Sequence, residues 1–280
     1  MGMNGAAKLA LANVRKEFVV PRTNEQVLAV EDVSLAVEAG EFLVIVGPSG
    51  CGKSTILNLL AGLEMASGGR VEMDGRPIEG PAAERGMVFQ DYALFPWKTV
   101  FENVEFGLRY GPRRSTVGAG ERRERVRQYI ELVNLQGSAE KYPHELSGGM
   151  RQRCAIARLL ANEPEVLLMD EPFAALDAQT RIILQEELLR IWGEVRPQTE
   201  RKTVVFITHS IDEAVFLADR VVVMSSHPGR FIRTFEVDLA RPRNETVRSD
   251  ARFSALNQEI WSLIRDEVYR AAMTGDGGQG

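Results

Sequence analysis

Alternating and β-branched apolar residues open the chain and predict an antiparallel β region. The pattern covers residues 9–20 and 27–37, with a turn-prone segment at residues 21–24 between them. A short apolar strand follows over residues 41–46 and leads through a glycine-rich turn into a helical pattern over residues 54–63. The chain therefore begins with β structure and then passes into its first helix.

Strand and helix patterns alternate along the remaining chain, which is typical of a parallel α/β sheet. Further strands are predicted at residues 70–73, 86–90, 166–169, 203–207, 221–224 and 230–237. Helices are predicted at residues 101–108, 122–135, 150–162 and 180–195, from residue 211, and in a terminal segment whose apolar face carries Phe253, Leu256, Ile260, Leu263 and Ile264. The predicted fold class is α/β, with a parallel sheet, an antiparallel β region and an inserted helical lobe at about residues 91–160.

The composition fits a globular protein with a sizeable core, since 44% of the 280 residues are hydrophobic and 26% are charged. The net charge of −5 provides no basic field for nucleic acid. Arginines cluster between residues 113 and 127, but Glu121 and Glu124 interleave with them and no aromatic stacking residue lies among them. We therefore expect a solvated helix face there and no nucleic-acid partner.

The two cysteines, Cys51 and Cys154, have no metal-ligand spacing and form no disulfide framework. They favour a reducing, cytoplasmic setting. The longest apolar runs are far too short to span a bilayer, and the first residues do not form a convincing secretory signal. We therefore expect a soluble protein that meets a membrane only through a partner or a surface patch.

The strongest local motif fits the phosphate-binding pattern G-x-x-x-x-G-K-[ST], in the required place between a strand and a helix. Its residues are Gly47, Pro48, Ser49, Gly50, Cys51, Gly52, Lys53 and Ser54, followed by Thr55. The glycines let backbone N–H groups converge on a phosphate, Lys53 reaches the β- and γ-phosphates, and the Ser54 hydroxyl holds Mg²⁺. A chance glycine-rich turn with a lysine is the alternative, which the flanking strand and helix disfavour. Because Cys51 lies inside this loop, we expect a thiol reagent to block ATP binding and bound nucleotide to protect the thiol.

Two adjacent carboxylates, Asp170 and Glu171, end the apolar strand at residues 166–169. At a strand end, Asp170 can face Mg²⁺ through water while Glu171 faces an attacking water. The alternative is an ordinary loop with two solvated acids. It is weaker, because adjacent acids at a buried edge repel each other unless a cation or a proton separates them.

A second anion-binding nest is predicted at residues 146–152, with the sequence Leu-Ser-Gly-Gly-Met-Arg-Gln. Ser147 can cap the following helix, and Gly148 and Gly149 permit close backbone approach. A plain helix cap is the alternative for a lone Ser-Gly-Gly. Two phosphate nests in one chain suggest a symmetric arrangement, in which each ATP lies between the loop of one subunit and the nest of the other.

In this order, these motifs make the sequence similar to the ATP-binding subunits of ABC transporters, and the resemblance covers about residues 8–225. It implies a P-loop NTPase core that binds ATP and Mg²⁺ and hydrolyses ATP in a dimer that closes around the nucleotide. By resemblance, residues 146–152 are the signature motif, and Asp170 and Glu171 close the Walker B segment.

Four further positions take a role from this resemblance. Residues 175–177 resemble the D-loop, whose Asp177 crosses to the partner's site. His209 follows an apolar strand, as the switch histidine does, and Gln90 stands where the Q-loop glutamine does. Phe18 occupies the place of an aromatic ring that stacks on adenine, often a tyrosine in the family. Taken singly, a histidine is more often structural and an aromatic beside a strand usually belongs to the core.

The resemblance thus implies a complete set of site residues. Lys53, Glu171 and His209 are expected to be catalytic, and Ser54, Gln90 and Asp170 are expected to contact the metal. Nucleotide contacts are expected from Phe18, residues 47–55, Gln90, Ser147, Gly148, Gly149 and Asp177. Glu171 would polarise the attacking water, and His209 would contact the γ-phosphate.

No membrane segment is fused to the cassette, which favours an importer whose permease is a separate chain. Segments at residues 80–90, 94–97, 103–104, 227–230 and 239–243 resemble the nitrate, sulfonate and taurine importer group. We therefore expect import of a small anion, with an ABC importer for another solute or a non-transport ABC ATPase as alternatives. A phosphate-loop kinase or GTPase is also conceivable but leaves the signature motif unexplained.

The resemblance also implies partners, a location and a division of the chain. The partners are integral membrane permease subunits, a second copy of the chain or a paralogue and, indirectly, an extracytoplasmic substrate-binding protein. The location is the cytoplasmic face of the inner membrane. We expect the ATP-binding domain at residues 8–240, a helical extension at 241–270 and a disordered tail at 271–280.

An apolar, aromatic stretch follows Gln90 directly and includes Tyr92, Leu94, Phe95, Pro96 and Trp97. Such residues either fill the core of the helical lobe or line a groove for a short helix of a membrane subunit. We expect a mixture of the two roles.

Overall fold

The computed structural model describes residues 7–21, 24–111, 118–174, 176–193 and 195–274. Its strands are β1 Leu9–Val19, β2 Gln26–Val37, β3 Phe42–Val46, β4 Gly68–Met73, β5 Arg76–Pro77, β6 Arg85–Val88, β7 Val166–Asp170, β8 Thr203–Ile207, β9 Arg220–Met224 and β10 Phe231–Glu236. Its helices are α1 Lys53–Ala61, α2 Val100–Tyr110, α3 Ala119–Leu132, α4 Gly148–Ala161, α5 Ala178–Trp192, α6 Ile211–Leu217 and α7 Ala251–Thr274. None of these described helices is long and apolar enough to cross a membrane.

A six-stranded sheet in the order β10-β9-β3-β8-β7-β6 forms the centre of the molecule. Its neighbouring strands are parallel, except that β10 runs antiparallel to β9 at the edge. Every residue of β3, β7 and β8 is buried. This explains why their sequences are mostly continuous apolar runs and show no alternation of apolar and polar residues. Because parallel strands end at the same edge, the loops that follow them lie close together.

A second, antiparallel sheet has the order β2-β1-β4-β5 and contains the β region predicted at the start of the chain. Its inward residues share one core with α1 and with one face of the central sheet. The other face of the central sheet packs on the remaining helices in a second core. The predicted α/β class, with its parallel sheet and antiparallel region, is thus confirmed.

The helices α2, α3 and α4 pack on one another between β6 and β7, where the sequence predicts a helical lobe. Thr99 caps α2 together with Glu102 in a reciprocal capping box. The fully buried Asn103 side chain holds the preceding turn, because its amide accepts from Phe95 N (2.9 Å) and donates to the carbonyls of Phe95 and Lys98. The aromatic stretch before α2 therefore has a defined shape.

Two predicted boundaries are wrong. Helix α5 ends at Trp192 rather than at residue 195, because Gly193 adopts the left-handed conformation (φ 95°) that closes a helix. The terminal helix continues through Thr274, four residues into the tail predicted as disordered, since the first strong helix breaker is Gly275. The rest of that predicted tail, residues 275–280, lies outside the described residues.

We expect replacement of Trp192 by alanine to destabilise the fold strongly. The side chain is 1% exposed, meets the Phe42 ring edge-on at 5.4 Å between centroids, and donates its indole N–H to the Lys202 carbonyl at 2.7 Å. The truncation should therefore lower the free energy of unfolding by about 3–5 kcal/mol in urea titrations. Trp261 is 56% exposed, and its alanine variant should change stability by less than about 0.5 kcal/mol. Equal losses for both variants would contradict this account of the core.

Candidate active site

The glycine-rich loop follows β3 and runs directly into α1, as predicted. Gly50 and Gly52 have φ values of 74° and 94°, which residues with a side chain rarely adopt. Lys53, the first residue of α1, is buried and donates its ammonium to the carbonyls of Gly47 at 2.9 Å and Pro48 at 2.8 Å. The loop thus curls around the lysine at the N-terminus of a helix, which is a geometry for binding phosphate.

Neighbouring backbone holds the loop from two sides. A Cβ atom added at Gly52 would lie 2.8 Å from the Ala29 carbonyl oxygen of β2. A Cβ atom added at Gly229 would lie 2.0 Å from the Cys51 carbonyl oxygen. Gly229 also exchanges backbone hydrogen bonds with Ala29 and Glu31, so the segment after β9 and strand β2 support the loop together.

The carboxylate of Asp170 lies at the end of β7 and meets the start of α1. It accepts a hydrogen bond from the Ser54 hydroxyl. Burial raises the pKa of Asp170, and the neighbouring Glu171 raises it further, whereas Ser54 and Lys53 lower it. Asp170 is therefore a partly desolvated acid whose charged form needs nearby cations.

Glu171 and His209 face each other beyond the ends of β7 and β8. Glu171 has a φ of 44°, a left-handed conformation that is costly for a residue with a side chain. Its backbone N–H donates to the Ile207 carbonyl at 3.0 Å. One carboxylate oxygen, Oε2, lies 3.1 Å from His209 Nδ1. His209 is largely exposed, so this pair stands at the surface beside the phosphate loop.

The predicted signature motif and the described part of the predicted D-loop form a second cluster. Ser147 caps α4 by accepting from Met150 N at 3.3 Å, and Asp177 caps α5 by accepting from Thr180 N at 2.9 Å. A Cβ atom added at Gly149 would lie 3.3 Å from Thr180 Cγ2, so the two helix starts touch. Ser147 and Asp177 are both exposed, while Gly148 is half-buried. Ala175, the first residue of the predicted D-loop, lies outside the described residues.

Gln90 and Phe18 lie near the edge of the central sheet that carries the phosphate loop. Gln90 is exposed and follows β6 by two residues, and β6 is paired with β7 up to Val88. Phe18 is paired in register with Val27, two residues before the Ala29 that contacts the loop. Its ring is 36% exposed, with the Lys16 ammonium 4.7 Å from the ring centroid. Phe18 is therefore not a core residue, and a base that stacked on its ring would use the face opposite Lys16.

One edge of the central sheet thus brings together most of the predicted site. It carries residues 47–55, Gln90, Asp170, Glu171 and His209. Ser147, Gly148, Gly149 and Asp177 lie instead in the second cluster, at the starts of α4 and α5. Each chain therefore presents two separate groups of predicted nucleotide contacts.

Oxygen donors at the phosphate loop suit a hard divalent cation. The hydrogen bond between Ser54 and Asp170 places a hydroxyl and a carboxylate side by side. Among the described residues, no group of three or more His, Cys, Asp or Glu side chains could hold a metal by itself. A cation here would therefore share its remaining ligands with phosphate oxygens and water.

The sequence patterns do not indicate a set of buried and half-buried polar residues that support the two clusters. Glu213, Arg181 and Thr208 connect the His209 loop with the start of α5 through hydrogen bonds and an ion pair. Arg158 of α4 donates to the carbonyls of Tyr92 and Ala93 and so holds the segment after Gln90. Glu213 sits at an otherwise apolar face of α6, and that is the signal that could have revealed it.

The match to known proteins agrees with this geometry. The model of the ABC transporter family matches residues 30–174, and the chain belongs to that family. It binds ATP and is an ATPase. A solved dimer of an ATP-binding cassette, in a post-hydrolysis state bound to ADP and phosphate, superimposes with a TM-score of 0.73 at 33% identity, and the match covers 83% of this chain and 100% of that one.

Curated relatives match over most of their length. An uncharacterized ABC transporter ATP-binding protein of Methanocaldococcus jannaschii is 48% identical over 264 residues, which are 94% of each chain. The nitrate import ATP-binding protein NrtD of Synechococcus elongatus is 48% identical, with 90% of this chain and 89% of that protein covered. The taurine import ATP-binding protein TauB of Pseudomonas aeruginosa is 50% identical, with 84% and 88% covered. These relatives confirm the resemblance to the nitrate, sulfonate and taurine importer group.

The expectation that a thiol reagent would reach Cys51 is not supported. Its side chain is 1% exposed, because it points beneath the loop, where its sulfur lies 3.8 Å from Lys53 Nζ. Burial raises the pKa of Cys51, although the Lys53 charge lowers it in part. Burial also raises the pKa of Cys154 to about 12. Both thiols are therefore hidden and protonated at neutral pH.

We expect native protein at pH 7 to react with iodoacetamide far more slowly than unfolded protein at both cysteines. A raised pKa lowers the thiolate fraction at any given pH, so the reaction should accelerate only as pH rises well above the ordinary thiol pKa. The measurement is mass-spectrometric alkylation of each cysteine against time, with protein in urea as the control. Fast native alkylation of Cys51 at pH 7 would show that the loop exposes it.

Proposed function

We propose that this chain powers the import of a small anion through a separate membrane permease, with two copies closing around ATP. The observation that carries the proposal is the split site. The phosphate loop, Glu171 and His209 share one edge, while the Ser147 nest and Asp177 form another exposed cluster. Neither cluster is a complete nucleotide site, so a second copy supplies the missing half.

The dimeric arrangement is supported by the solved relative that binds ADP and phosphate as a dimer. In this arrangement the Ser147 nest of one copy faces the γ-phosphate held by the phosphate loop of the other. Gly148 and Gly149 let the backbone approach the phosphate, and Asp177 reaches toward the partner's site. ATP then stabilises the closed dimer, because only closure satisfies both halves of its phosphate contacts.

The residues at the first edge have distinct roles in hydrolysis. Lys53 neutralises charge on the β- and γ-phosphates, and residues 47–55 supply backbone donors. Glu171 accepts hydrogen bonds from the attacking water and orients it in line with the γ-phosphate. His209, whose Nδ1 lies 3.1 Å from a carboxylate oxygen of Glu171, contacts the γ-phosphate and loses this contact after hydrolysis. Phe18 stacks on the adenine ring.

Mg²⁺ fits the oxygen donors at this edge. Ser54 and Asp170 would hold it, with Gln90 from the neighbouring strand end. When bound, the ion offsets negative charge on the phosphate oxygens. Burial raises the pKa of Asp170, so a nearby cation would stabilise its charged form, and this fits a role in holding Mg²⁺.

An apolar groove of about 550 Å³ beside Gln90 provides a docking place for the permease. Phe89, Phe95 and Phe106 line it, and Arg158 and Asn162 border it. Trp97, next to the groove, is 69% exposed, which is unusual for tryptophan on a free surface. A short helix of a membrane subunit, with apolar side chains on one face, matches such a groove.

The proposed substrate class is supported by relatives that are named nitrate and taurine import ATP-binding proteins. Nitrate is a small anion and taurine carries an anionic sulfonate group, and we extend that class to alkanesulfonates. An importer for a different small solute is the first alternative, and a non-transport ABC ATPase is the second. In the proposed setting the chain lies at the cytoplasmic face of the inner membrane, and a substrate-binding protein acts on it indirectly through the permease.

Glu171→Gln should reduce ATP turnover by about 100- to 10,000-fold while ATP binding persists, because glutamine keeps the shape but cannot act as the base. The variant should form an ATP-dependent dimer in size-exclusion chromatography. Glu165→Gln, an exposed carboxylate that pairs with Lys8, is the matched control and should retain turnover. Parent-like hydrolysis by Glu171→Gln would remove Glu171 from its proposed role.

Phe95→Asp should abolish import and weaken copurification with the permease. A charge in the apolar groove should cost about 2 kcal/mol or more of docking free energy, about 30-fold in affinity. The measurement is uptake of labelled nitrate, taurine and an alkanesulfonate by cells that carry the chain with its cognate permease and binding protein. Trp261→Asp, on an exposed part of α7, is the control. Unimpaired uptake with Phe95→Asp would refute the groove, and uptake of none of the three anions would refute the substrate class.

A further inference from the structure

A buried carboxylate connects the two clusters of the proposed site. Glu213, in the first turn of α6, accepts a hydrogen bond from the Thr208 hydroxyl at 2.6 Å through Oε2. Its other oxygen, Oε1, lies 3.6 Å from Arg181 Nε. Arg181 also donates to the Leu176 carbonyl at 2.9 Å. One carboxylate thus contacts both the residue before His209 and the arginine that holds the residue before Asp177.

The same contacts restrict the backbone around His209. The Thr208 hydroxyl, which is bonded to Glu213, also accepts from Ser210 N at 3.0 Å. Ser210 in turn caps α6 by accepting from Glu213 N at 3.4 Å. Both neighbours of His209 are therefore held by the group that Glu213 anchors. A shift of Glu213 would move the imidazole relative to Glu171.

The C-terminal part of the chain reaches this network through Arg248. Gln185 of α5 is buried, donates its amide to Glu213, and accepts from Arg248 at 2.7 Å. Arg248 lies in the short turn Glu245–Ser249 before α7 and forms an ion pair with Asp212 at the start of α6. Its guanidinium also stacks 4.5 Å from the centre of the Phe216 ring. Arg248 is therefore fixed from three directions.

We propose that Arg248 is a positioning residue for ATP hydrolysis, which acts through Gln185 and Glu213 on the loops that carry His209 and Asp177. A buried Glu213 with only Thr208 and Arg181 would be free to shift between them. Gln185, oriented by Arg248, adds a second hydrogen-bond donor beside Thr208 and fixes one arrangement of the carboxylate. The way in which the segment after β10 packs against α5 and α6 would thereby influence the loops that carry His209 and Asp177. The inference rests on the roles given to His209 and Asp177 under the proposed function.

Arg248→Met should lower kcat for ATP about three- to tenfold in purified protein and change KM less than twofold, because the phosphate loop is untouched. Hydrogen exchange should accelerate in peptides that cover residues 176–181 and 205–213. The matched control is Arg252→Met, since Arg252 is an exposed arginine of α7 that pairs with Asp238. It should change neither kcat nor exchange in those peptides.

A double-variant comparison separates positioning from general destabilisation. Gln185→Met removes the middle of the connection, so Arg248→Met combined with Gln185→Met should be no slower than the slower single variant. Additive losses of kcat, or a lower melting temperature with unchanged kcat and unchanged exchange at residues 205–213, would overturn the proposal. Parallel assays of wild type and His209→Ala test the catalytic assignment separately. Full turnover by His209→Ala would contradict the proposed role of His209. The exchange data would still show whether Arg248 restrains the loop at residues 205–213.

Discussion

The hydrogen bond from Glu171 N to the Ile207 carbonyl fixes the geometry on which the site depends. It continues the parallel pairing of β7 with β8 by one residue beyond Asp170. Glu171 adopts a left-handed conformation there, and this strain is tolerated because two fully buried strands hold its neighbours. The turn directs the carboxylate toward His209, which leaves β8 two residues after Ile207. The two side chains that we propose as catalytic, Glu171 and His209, are thus positioned by sheet register.

Much of this architecture could be predicted from the sequence, because buried parallel strands and phosphate loops leave strong local signals. The runs at β3, β7 and β8 are continuously apolar, and the loop between β3 and α1 has a fixed glycine spacing. Helix ends are harder to predict from the sequence. The left-handed Gly193 ends α5 at Trp192, although the apolar pattern continues to residue 195. The burial of Cys51 was also missed, because a loop residue's orientation depends on backbone that is distant in sequence, here Gly229.

Polar residues inside the helical layer escaped sequence analysis for a different reason. Glu213 and Gln185 carry side chains of types that usually face water, yet both are buried. Their partners come from separate segments, so no spacing rule connects them. Buried polar groups are costly unless every donor and acceptor is matched. The Glu213 carboxylate is matched by Thr208, Gln185 and Arg181, so its surroundings form a specific arrangement, which lies between the two clusters of the proposed site.

Nearly equal identity to the nitrate and taurine relatives, 48% and 50%, has a physical explanation in the proposed function. Under that proposal the imported solute never touches this chain, so the edge that binds the nucleotide is under the same constraints whichever solute is carried. What can distinguish one importer from another on this subunit is the surface that meets the permease. Under the proposed function, that surface in this chain is the aromatic groove at Phe95, shaped by the buried Asn103 and bordered by the exposed Trp97. Partner choice, and through it the solute, would therefore be set by residues outside the catalytic motifs.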